Sequence, residues 1–383
     1  MEGGGFAACI AFALTMSTVY FEEFTTSRLF LVLVGLLCVQ LMRSPVLVVT
    51  REIWTYAALS AYLLISLLWT PDPVLGLNSI FPALDFLLIS VSFASLVRDT
   101  DVRAVVIGAL VGLLGGALVF AVTTRFPLAV PTDFSYNAFA MLYFCGIFLA
   151  LLLGTITRSR LPVLLLIVVL LAHVAATTSI KTNLGIAIGV VGVSIIYRRA
   201  AFRLARRYLV PILVGFALLT YLALSNAFIV DRMEYAWDRF AIGVEVLQAR
   251  EDRAGYSGFN ERADWMRAGL TAWRTNPVFG YGVEAFRVPF GITSHSTPID
   301  LLYNTGLVGF CLFYGMLISL GLRCVRRDVD EGTAQRAVIL FGVIVYLFVS
   351  LSGTIFYQSF LAVLVGIGSG LLRLQKPRAG ATP

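Results

Sequence analysis

The chain has 383 residues, of which 59% are hydrophobic and only 13% are charged, and its mean hydropathy is +0.88. Soluble domains carry about 25% charged residues, so this composition excludes an ordinary soluble protein and favours a membrane protein. The formal net charge of +7 would by itself also suit a nucleic-acid partner. The positions of the basic residues along the chain decide between these two explanations.

Twelve apolar segments, each of a length suited to a bilayer-crossing helix, follow one another along the chain. They predict an all-α polytopic membrane protein. The first segment has neither a basic leader nor a signal-peptide cleavage site, so we expect it to remain as a helix. The predicted spans are 3–20, 28–42, 53–70, 80–97, 104–123, 134–156, 161–179, 182–197, 208–228, 297–322, 335–353 and 355–373.

The basic residues are distributed unequally between the two predicted sides of the membrane. With a cytoplasmic N-terminus, 18 of the 29 fall in cytoplasmic segments, eight in one long outer loop and three in short outer loops. The last three are Arg28, Arg125 and Lys181. This positive-inside pattern predicts that both termini are cytoplasmic. The basic charge therefore reflects topology, so we expect the lipid bilayer as a partner and no nucleic acid.

The long outer loop, residues 229–296, divides the chain into three parts. Residues 1–228 contain the predicted transmembrane helices one to nine, and residues 297–383 contain helices ten to twelve and a cytoplasmic tail. Within the loop, apolar residues at helical spacing from Met233 to Leu247 predict an amphipathic helix on the membrane surface. A helix that only stabilises its neighbours by packing is the alternative.

A second loop helix is predicted to begin at Asn260, a favourable N-cap, and to end at Asn276. It ends there because Pro277 disfavours helical backbone in the residue before it. The sequence "NPVFGYG" (276–282) is then predicted to be a tight turn whose glycines are free to adopt positive φ. This turn leads the chain to "TSHSTPID" (293–300), which contains one of the two histidines.

His295 is predicted to lie just before the tenth span, at the outer mouth of the bundle. The positive end of that helix would keep the imidazole neutral, as a general base requires, and would equally suit an anionic ligand. A purely structural histidine is the third possibility. Thr297 as N-cap, Pro298 at the first helical position and Asp300 predict a capping box. Asp300 could instead take part in catalysis.

Basic residues on the outer side are candidate phosphate ligands, although each could also be an interfacial or solvated charge. They are Lys181 in "TTSIKTNLG" (177–185), Arg262 and Arg267 on the second loop helix, and Arg287 after the turn.

One histidine and one carboxylate lie well inside predicted spans. His173 is predicted to be a hydrogen-bonded packing residue, and Asp85 is either functional or satisfied by a neighbouring hydroxyl. The sequence contains no P-loop, no G-x-S-x-G, no H-E-x-x-H and no paired cysteines. Since the two histidines are far apart and no acidic cluster is present, we expect no bound metal and no cofactor.

Three stretches together resemble the bacterial O-antigen ligase/polymerase superfamily. "NERADWMRAGLTAWRTNPVFGYGVEAFR" (260–287) resembles its arginine, a tryptophan three residues later, a helix and an N-P-x-x-G-x-G turn. "SHSTPIDLLYNTGLVGF" (294–310) resembles its histidine at the start of a span ending in a G-x-x-G step, and "SIKTNLG" (179–185) its basic segment. Many ligases have asparagine where this chain has Ser296 and Ser-Arg where it has Ile180–Lys181, and lysine there resembles the polymerases.

The resemblance implies a GT-C-like fold and an inverting, metal-independent glycosyltransferase at the periplasmic face of the bacterial inner membrane. Its donor would be a glycan on undecaprenyl diphosphate, and its acceptor a glycan or glycolipid. Carried over by position, His295 would take the proton of the acceptor hydroxyl, and Arg262 and Lys181 would hold the diphosphate. Secondary candidates for the same site are Arg267, Arg287 and Asp300.

Three functions follow from this reading of the sequence. The first is a polymerase of O-antigen or exopolysaccharide, and the second is a ligase that transfers the glycan to lipid A–core. The third is a twelve-helix transporter, which would be expected to place its polar residues near the middle of the membrane. The position of the candidates on the outer side favours the two glycosyltransferases.

Overall fold

A computed structural model describes residues 2–19, 26–124, 136–157, 161–176, 179–198, 230, 257–325, 332–356 and 358–375. These residues form thirteen α-helices, and no strand occurs among them. In chain order the helices are α1 (Glu2–Val19), α2 (Thr26–Arg43), α3 (Arg51–Ser66), α4 (Pro73–Asp99), α5 (Val102–Thr124), α6 (Tyr136–Ile156), α7 (Leu161–Ala176), α8 (Ile180–Ile196), α9 (Ser257–Trp273), α10 (Arg287–Phe290), α11 (Thr297–Cys324), α12 (Thr333–Ser350) and α13 (Ser359–Leu374).

Within the described residues, five helices are both long and apolar enough to cross a bilayer, namely α4, α5, α6, α11 and α12. The shorter apolar helices are α1, α7, α8 and α13. The prediction of an all-helical membrane protein is thereby confirmed, while the number of crossings stays a prediction. The ninth predicted span (208–228) and the predicted surface helix (233–247) lie outside the described residues.

Helix α4 begins at Pro73, earlier than the predicted start at residue 80. The reason is a local cap: the carboxylate of Asp72 accepts the backbone amides of Val74 and Leu75, both at 3.0 Å. Proline at the first helical position costs no hydrogen bond, because its missing N–H would have no partner there. The Asp72 cap therefore extends the helix beyond the N-terminal end of the predicted span.

Helices α1 and α5 lie unusually close because small residues line their interface. A Cβ atom at Gly108 would lie 1.9 Å from the carbonyl oxygen of Gly4, and one at Gly112 would lie 2.1 Å from that of Ala8. Gly108 and Gly112 are one helical turn apart and so share a face. Lipid provides no hydrophobic driving force between helices, and close backbone approach supplies the packing that holds them together.

Glycines also allow close contact in two other helix pairs, once against backbone and once against an aromatic ring. A Cβ atom at Gly366 of α13 would lie 2.7 Å from the carbonyl oxygen of Ser90 in α4, and one at Gly189 of α8 would lie 2.8 Å from the Phe341 ring of α12. These contacts fix α12 and α13 against α8 and α4. The described residues of the loop between α12 and α13 (351–356 and 358, the α12–α13 loop) therefore connect two helices that are each packed against a neighbour.

Two basic side chains at one end of the bundle donate hydrogen bonds to side chains of other segments. Arg323, in the last turn of α11, donates to both carboxylate oxygens of Glu52 at 2.8 Å, and Glu52 is fully buried. Arg336 of α12 donates to Gln375 at 3.1 Å. Arg323 and His295 stand at opposite ends of α11, so these basic groups lie at the end of the bundle remote from the histidine.

Helix α11 is interrupted at Gly306, where φ is 61° and ψ is −161°. This conformation is essentially restricted to glycine. A break leaves carbonyl groups on one side and amide groups on the other without intrahelical partners. In a bilayer such groups must find partners within the protein.

The turn formed by residues 276–282 supplies partners for the carbonyl groups before the break. The amide of Tyr281 donates to the carbonyl oxygen of Tyr303 at 2.9 Å, and that of Gly282 donates to Asn304 at 2.8 Å. The 276–282 turn is thus bonded into the apolar helix α11, where hydropathy alone predicts only a connection outside the span.

The same turn also satisfies the amide groups beyond the break. The amides of Leu307 and Val308 donate to the carbonyl oxygens of Pro277 and Val278 at 2.9 and 3.2 Å. The turn and the broken helix consequently satisfy each other's backbone on both sides of Gly306. The 276–282 turn and the helix break at Gly306 each depend on hydrogen bonds from the other.

The α1–α5 interface predicts unequal effects for two Gly→Ala substitutions in α5. Gly112→Ala places a methyl group 2.1 Å from a carbonyl oxygen, whereas at Gly115 the nearest atom is 3.8 Å away. We expect Gly112→Ala to lower the thermal unfolding midpoint in detergent by several degrees, since overpacking costs about 1–3 kcal/mol. Gly115→Ala is the control and should leave the midpoint unchanged or raise it. Equal midpoints would contradict the close approach.

The break in α11 predicts a larger effect at Gly306. Gly306→Ala puts a Cβ atom 2.3 Å from the carbonyl oxygen of Val278 and forces alanine into a glycine-only conformation. We expect little monodisperse protein after detergent extraction, measured by size-exclusion chromatography. Gly315→Ala, in the same helix with open space around its Cβ, should behave like the native chain. Normal yield of the Gly306 variant would show that the break is dispensable.

Candidate functional site

His295 lies in a tight turn immediately before α11. Its φ is 57°, a left-handed conformation that residues other than glycine rarely adopt. The hydroxyl of Ser294 closes the turn: it accepts the Ser296 amide at 3.1 Å and donates to the Ser296 carbonyl oxygen at 2.9 Å. Both serines are buried, whereas the imidazole is half-buried. The turn therefore hides its own polar groups and leaves part of the ring accessible.

Helix α9 runs beside the start of α11 and brings an aromatic ring to the histidine. The ring centroids of Trp265 and His295 are 6.1 Å apart. A Cβ atom at Gly269 would lie 2.7 Å from Ile299, so the two helices are in close contact. Arg262 belongs to α9 and precedes Trp265 by less than one turn. Its side chain is outside the described residues, so the structure places this residue by its helix only.

The ends of α9 differ from the prediction. The helix begins at Ser257, so Asn260 lies in its first turn and is not the N-cap. A capping preference is worth about 1 kcal/mol, which helix packing readily outweighs. The helix ends at Trp273, whose indole nitrogen donates to the carbonyl oxygen of Pro277 at 3.0 Å. Residues 274–276 consequently already belong to the turn.

Lys181, the second residue of α8, reaches the α12–α13 loop. Its ammonium group donates to the carbonyl oxygen of Ser352 at 3.1 Å. The next carbonyl oxygen, that of Gly353, accepts both the amide and the hydroxyl of Thr297, at 3.2 and 2.6 Å. Lys181 and the first residue of α11 therefore meet on neighbouring peptide groups. The structure thus brings the predicted lysine to the end of the bundle that carries His295.

The predicted capping box at the start of α11 is wrong. The N-cap is Ser296, and Thr297 is the first helical residue, with its hydroxyl bonded to the α12–α13 loop. Asp300 does accept a backbone amide, but that of Ser294, at 2.8 Å. Its second oxygen accepts the hydroxyl of Thr354 at 2.6 Å. The physical reason is that a capping pattern considers only neighbouring residues, whereas the α12–α13 loop, which is distant in sequence, supplies the Thr354 hydroxyl.

The two secondary arginines have different partners. Arg267 is exposed and lies 3.6 Å from Asp264 on the same helix, as expected for a solvated helix charge. Arg287 lies 3.6 Å from one carboxylate oxygen of Glu284, and the other oxygen of that buried carboxylate accepts the hydroxyl of Ser79 at 2.6 Å. Arg287 is therefore itself exposed but lies beside a buried carboxylate, whereas Arg267 faces solvent.

The two intramembrane candidates lie elsewhere in the bundle. His173 bonds through Nδ1 to the carbonyl oxygen of Val169 at 2.8 Å, and its ring centroid is 5.0 Å from that of Tyr143. The prediction of a hydrogen-bonded packing residue is confirmed. Asp85 is 1% exposed, and its Oδ1 has no hydrogen-bond partner among the described residues. Among the described residues, no neighbouring hydroxyl satisfies that oxygen.

Sequence reasoning missed several residues around the histidine. Ser352, Gly353 and Thr354 sit between two apolar spans, and the only available signal was the short polar run "SLSGT" (350–354). Glu284 gave no signal at all, since its burial and its positive φ of 59° arise from contacts with other helices. These residues are identified by long-range hydrogen bonds, which neither periodicity nor motif spacing encodes.

Comparisons with known proteins suggest no function for this site. The sequence matches no protein-family model, and no curated protein matches it. The functional argument therefore depends on the residues and contacts described above.

Proposed function

We propose that this protein is a membrane glycosyltransferase of the O-antigen ligase/polymerase type. It acts at the periplasmic face of a bacterial inner membrane on a glycan carried by undecaprenyl diphosphate, and its acceptor is another lipid-linked glycan. The observation that carries the proposal is the convergence of Lys181 and the His295 turn on the α12–α13 loop. Helix α9, which includes Arg262, lies against the same turn through Trp265.

The reaction requires a base and a stabilised leaving group. The acceptor hydroxyl oxygen attacks the anomeric carbon of the donor, and the bond from that carbon to the phosphate oxygen breaks with inversion. His295 takes the hydroxyl proton, and the electron pair of the broken bond stays on the diphosphate. A half-buried imidazole next to a helix N-terminus is suited to this role, since the helix dipole disfavours the imidazolium ion before reaction.

The negative charge that develops on the diphosphate calls for fixed cations. Lys181 and Arg262 are assigned to this role, since a positioned ammonium or guanidinium group stabilises such charge without a metal ion. The lysine is already oriented by its bond to Ser352. We therefore expect glycan transfer to continue in the presence of a chelator.

The charge distribution supports the proposed orientation. The paired basic residues Arg323 and Arg336 are at the end of the bundle remote from His295. By the positive-inside rule that end faces the cytoplasm, which leaves the histidine at the periplasmic end. A polyprenyl diphosphate in the outer leaflet presents its charged group at this level.

The broken helix supports an enzyme over a transporter. Discontinuous helices in transporters leave backbone groups free to coordinate the substrate. In α11 the groups on both sides of Gly306 are bonded to the 276–282 turn. The backbone groups beside this break are therefore not available to coordinate a substrate.

The second histidine provides a matched control for the base. With purified protein and undecaprenyl diphosphate-linked repeat units, we expect a ladder of longer glycans on a gel. His295→Ala should reduce its rate by about 10²–10⁴-fold, the usual contribution of a general base. His173→Gln, which changes the packing histidine, should remain active. A ladder unaffected by His295→Ala would contradict the assignment of the base.

The acceptor and the cations are tested in the same assay. If glycan transfer appears only after lipid A–core is added, the protein is a ligase and the polymerase assignment is wrong. Lys181→Ala should slow transfer about 10²-fold and Lys181→Arg much less, since charge is the property required. Lys376→Ala, which removes the other lysine, is the control. Loss of activity on addition of a chelator would contradict the metal-independent mechanism.

A further inference from the structure

The conformation of His295 requires an external constraint. Left-handed backbone at a residue other than glycine costs on the order of 1–3 kcal/mol and persists only where surrounding contacts enforce it. The hydrogen bonds between Ser294 and Ser296 close the turn locally. They leave open how the turn as a whole is oriented towards the rest of the site.

Asp300 provides the contact between the turn and the bundle. One carboxylate oxygen accepts the Ser294 amide at 2.8 Å, and the other accepts the Thr354 hydroxyl at 2.6 Å. The side chain thus bridges the residue before His295 and a loop more than fifty positions further along the chain. Asp300 is 2% exposed, so water competes little for these bonds.

A second bridge runs parallel to the first. The hydroxyl of Thr297 donates to the Gly353 carbonyl oxygen at 2.6 Å and accepts the Ile355 amide at 2.8 Å. The carbonyl group before it, that of Ser352, receives the ammonium group of Lys181. One short loop therefore holds the histidine turn by two side chains and the lysine by its backbone.

We infer that Asp300, together with Thr354, is a positioning residue that sets His295 at a fixed place relative to Lys181. The inference deepens the proposed function and rests on it, since it assigns how the base and the phosphate-binding cation are held together. Both oxygens of Asp300 have protein donors and the side chain is buried, so it acts through its neighbours and does not touch the substrate.

Kinetics of four variants separate positioning from other roles. Asp300→Ala removes both bonds and should lower kcat about 100-fold while the KM for the lipid-linked donor stays within about twofold, because only the base is displaced. Asp300→Asn keeps an acceptor for Ser294 and a partner for Thr354, and should retain most of the activity. Thr354→Val should lower kcat about 10-fold, and Thr354→Ser should restore it.

Each other kinetic outcome overturns the inference. If Asp300→Asn is as inactive as Asp300→Ala, the carboxylate acts through its charge and the positioning role is wrong. If kcat is unchanged in all four variants while His295→Ala is inactive, the positioning role fails and the proposed function stands. A fall in kcat together with a lower unfolding midpoint, equal for Thr354→Val and Thr354→Ser, would indicate a general stability effect instead.

Hydrogen exchange tests, independently of activity, whether Asp300 holds the His295 turn against the α12–α13 loop. In the full-length protein in detergent, Asp300→Ala should raise the exchange rate of peptides covering residues 293–297 and 351–356 at least tenfold, with α1 and α5 as internal controls. Unchanged exchange in those peptides would show that Asp300 does not hold the turn against the loop, whether or not the protein transfers glycan. Faster exchange in a protein without transferase activity would contradict the proposed function while leaving the structural link in place.

Discussion

The mutual hydrogen bonding of the broken helix α11 and the 276–282 turn is the constraint on which the rest of this structure depends. Gly306 interrupts an apolar helix long enough to cross a bilayer, and in such a setting the backbone groups beside the break need partners within the protein. The 276–282 turn pairs them, and the hydroxyl of Tyr62 in α3 adds donations to the carbonyl oxygens of Phe279 and Thr305 at 2.8 and 3.2 Å. Because the turn is fixed in this way, the chain that leaves it reaches the start of α11 at a defined position, and His295 is placed there.

Close helix packing by small residues extends this rigidity to the other half of the candidate site. Gly366 allows α13 to approach α4, and Gly189 allows α8 to approach α12. The α12–α13 loop is thereby held between two packed pairs, and α8 carries Lys181 at its start. A cation and a base can cooperate in a reaction only if their separation is fixed to within a fraction of an ångström. Helix packing and the loop hydrogen bonds together restrict how far Lys181 and the His295 turn can move relative to each other.

The sequence was sufficient to predict the helices and the position of the histidine, and insufficient to predict what holds it. Hydropathy reports the length of apolar segments, so every described span was anticipated, while the start of α4 at Pro73, which is set by the Asp72 cap, was not. Local pattern rules gave Asp300 a capping partner, because the rule considers only neighbours along the chain. Its actual partner, Thr354, belongs to a loop that comes close only after α11, α12 and α13 have packed. The pairing of "NPVFGYG" with the break at Gly306 was hidden for the same reason.

The segment between the turn and α11 is strained at both ends, and this explains why buried polar groups occur there. Glu284 and His295 are the described residues other than glycine with positive φ. Each is held by hydroxyl groups from elsewhere in the fold, Ser79 of α4 for the first, and Thr354 acting through Asp300 for the second. Strain of this kind is maintained only where the surroundings over-determine the backbone, and such places are concentrated at functional sites.

Burial of two carboxylates in an apolar bundle carries a free-energy cost that packing alone would not justify. That cost is explained if both carboxylates serve to hold a short segment, and with it one imidazole ring, in a single orientation.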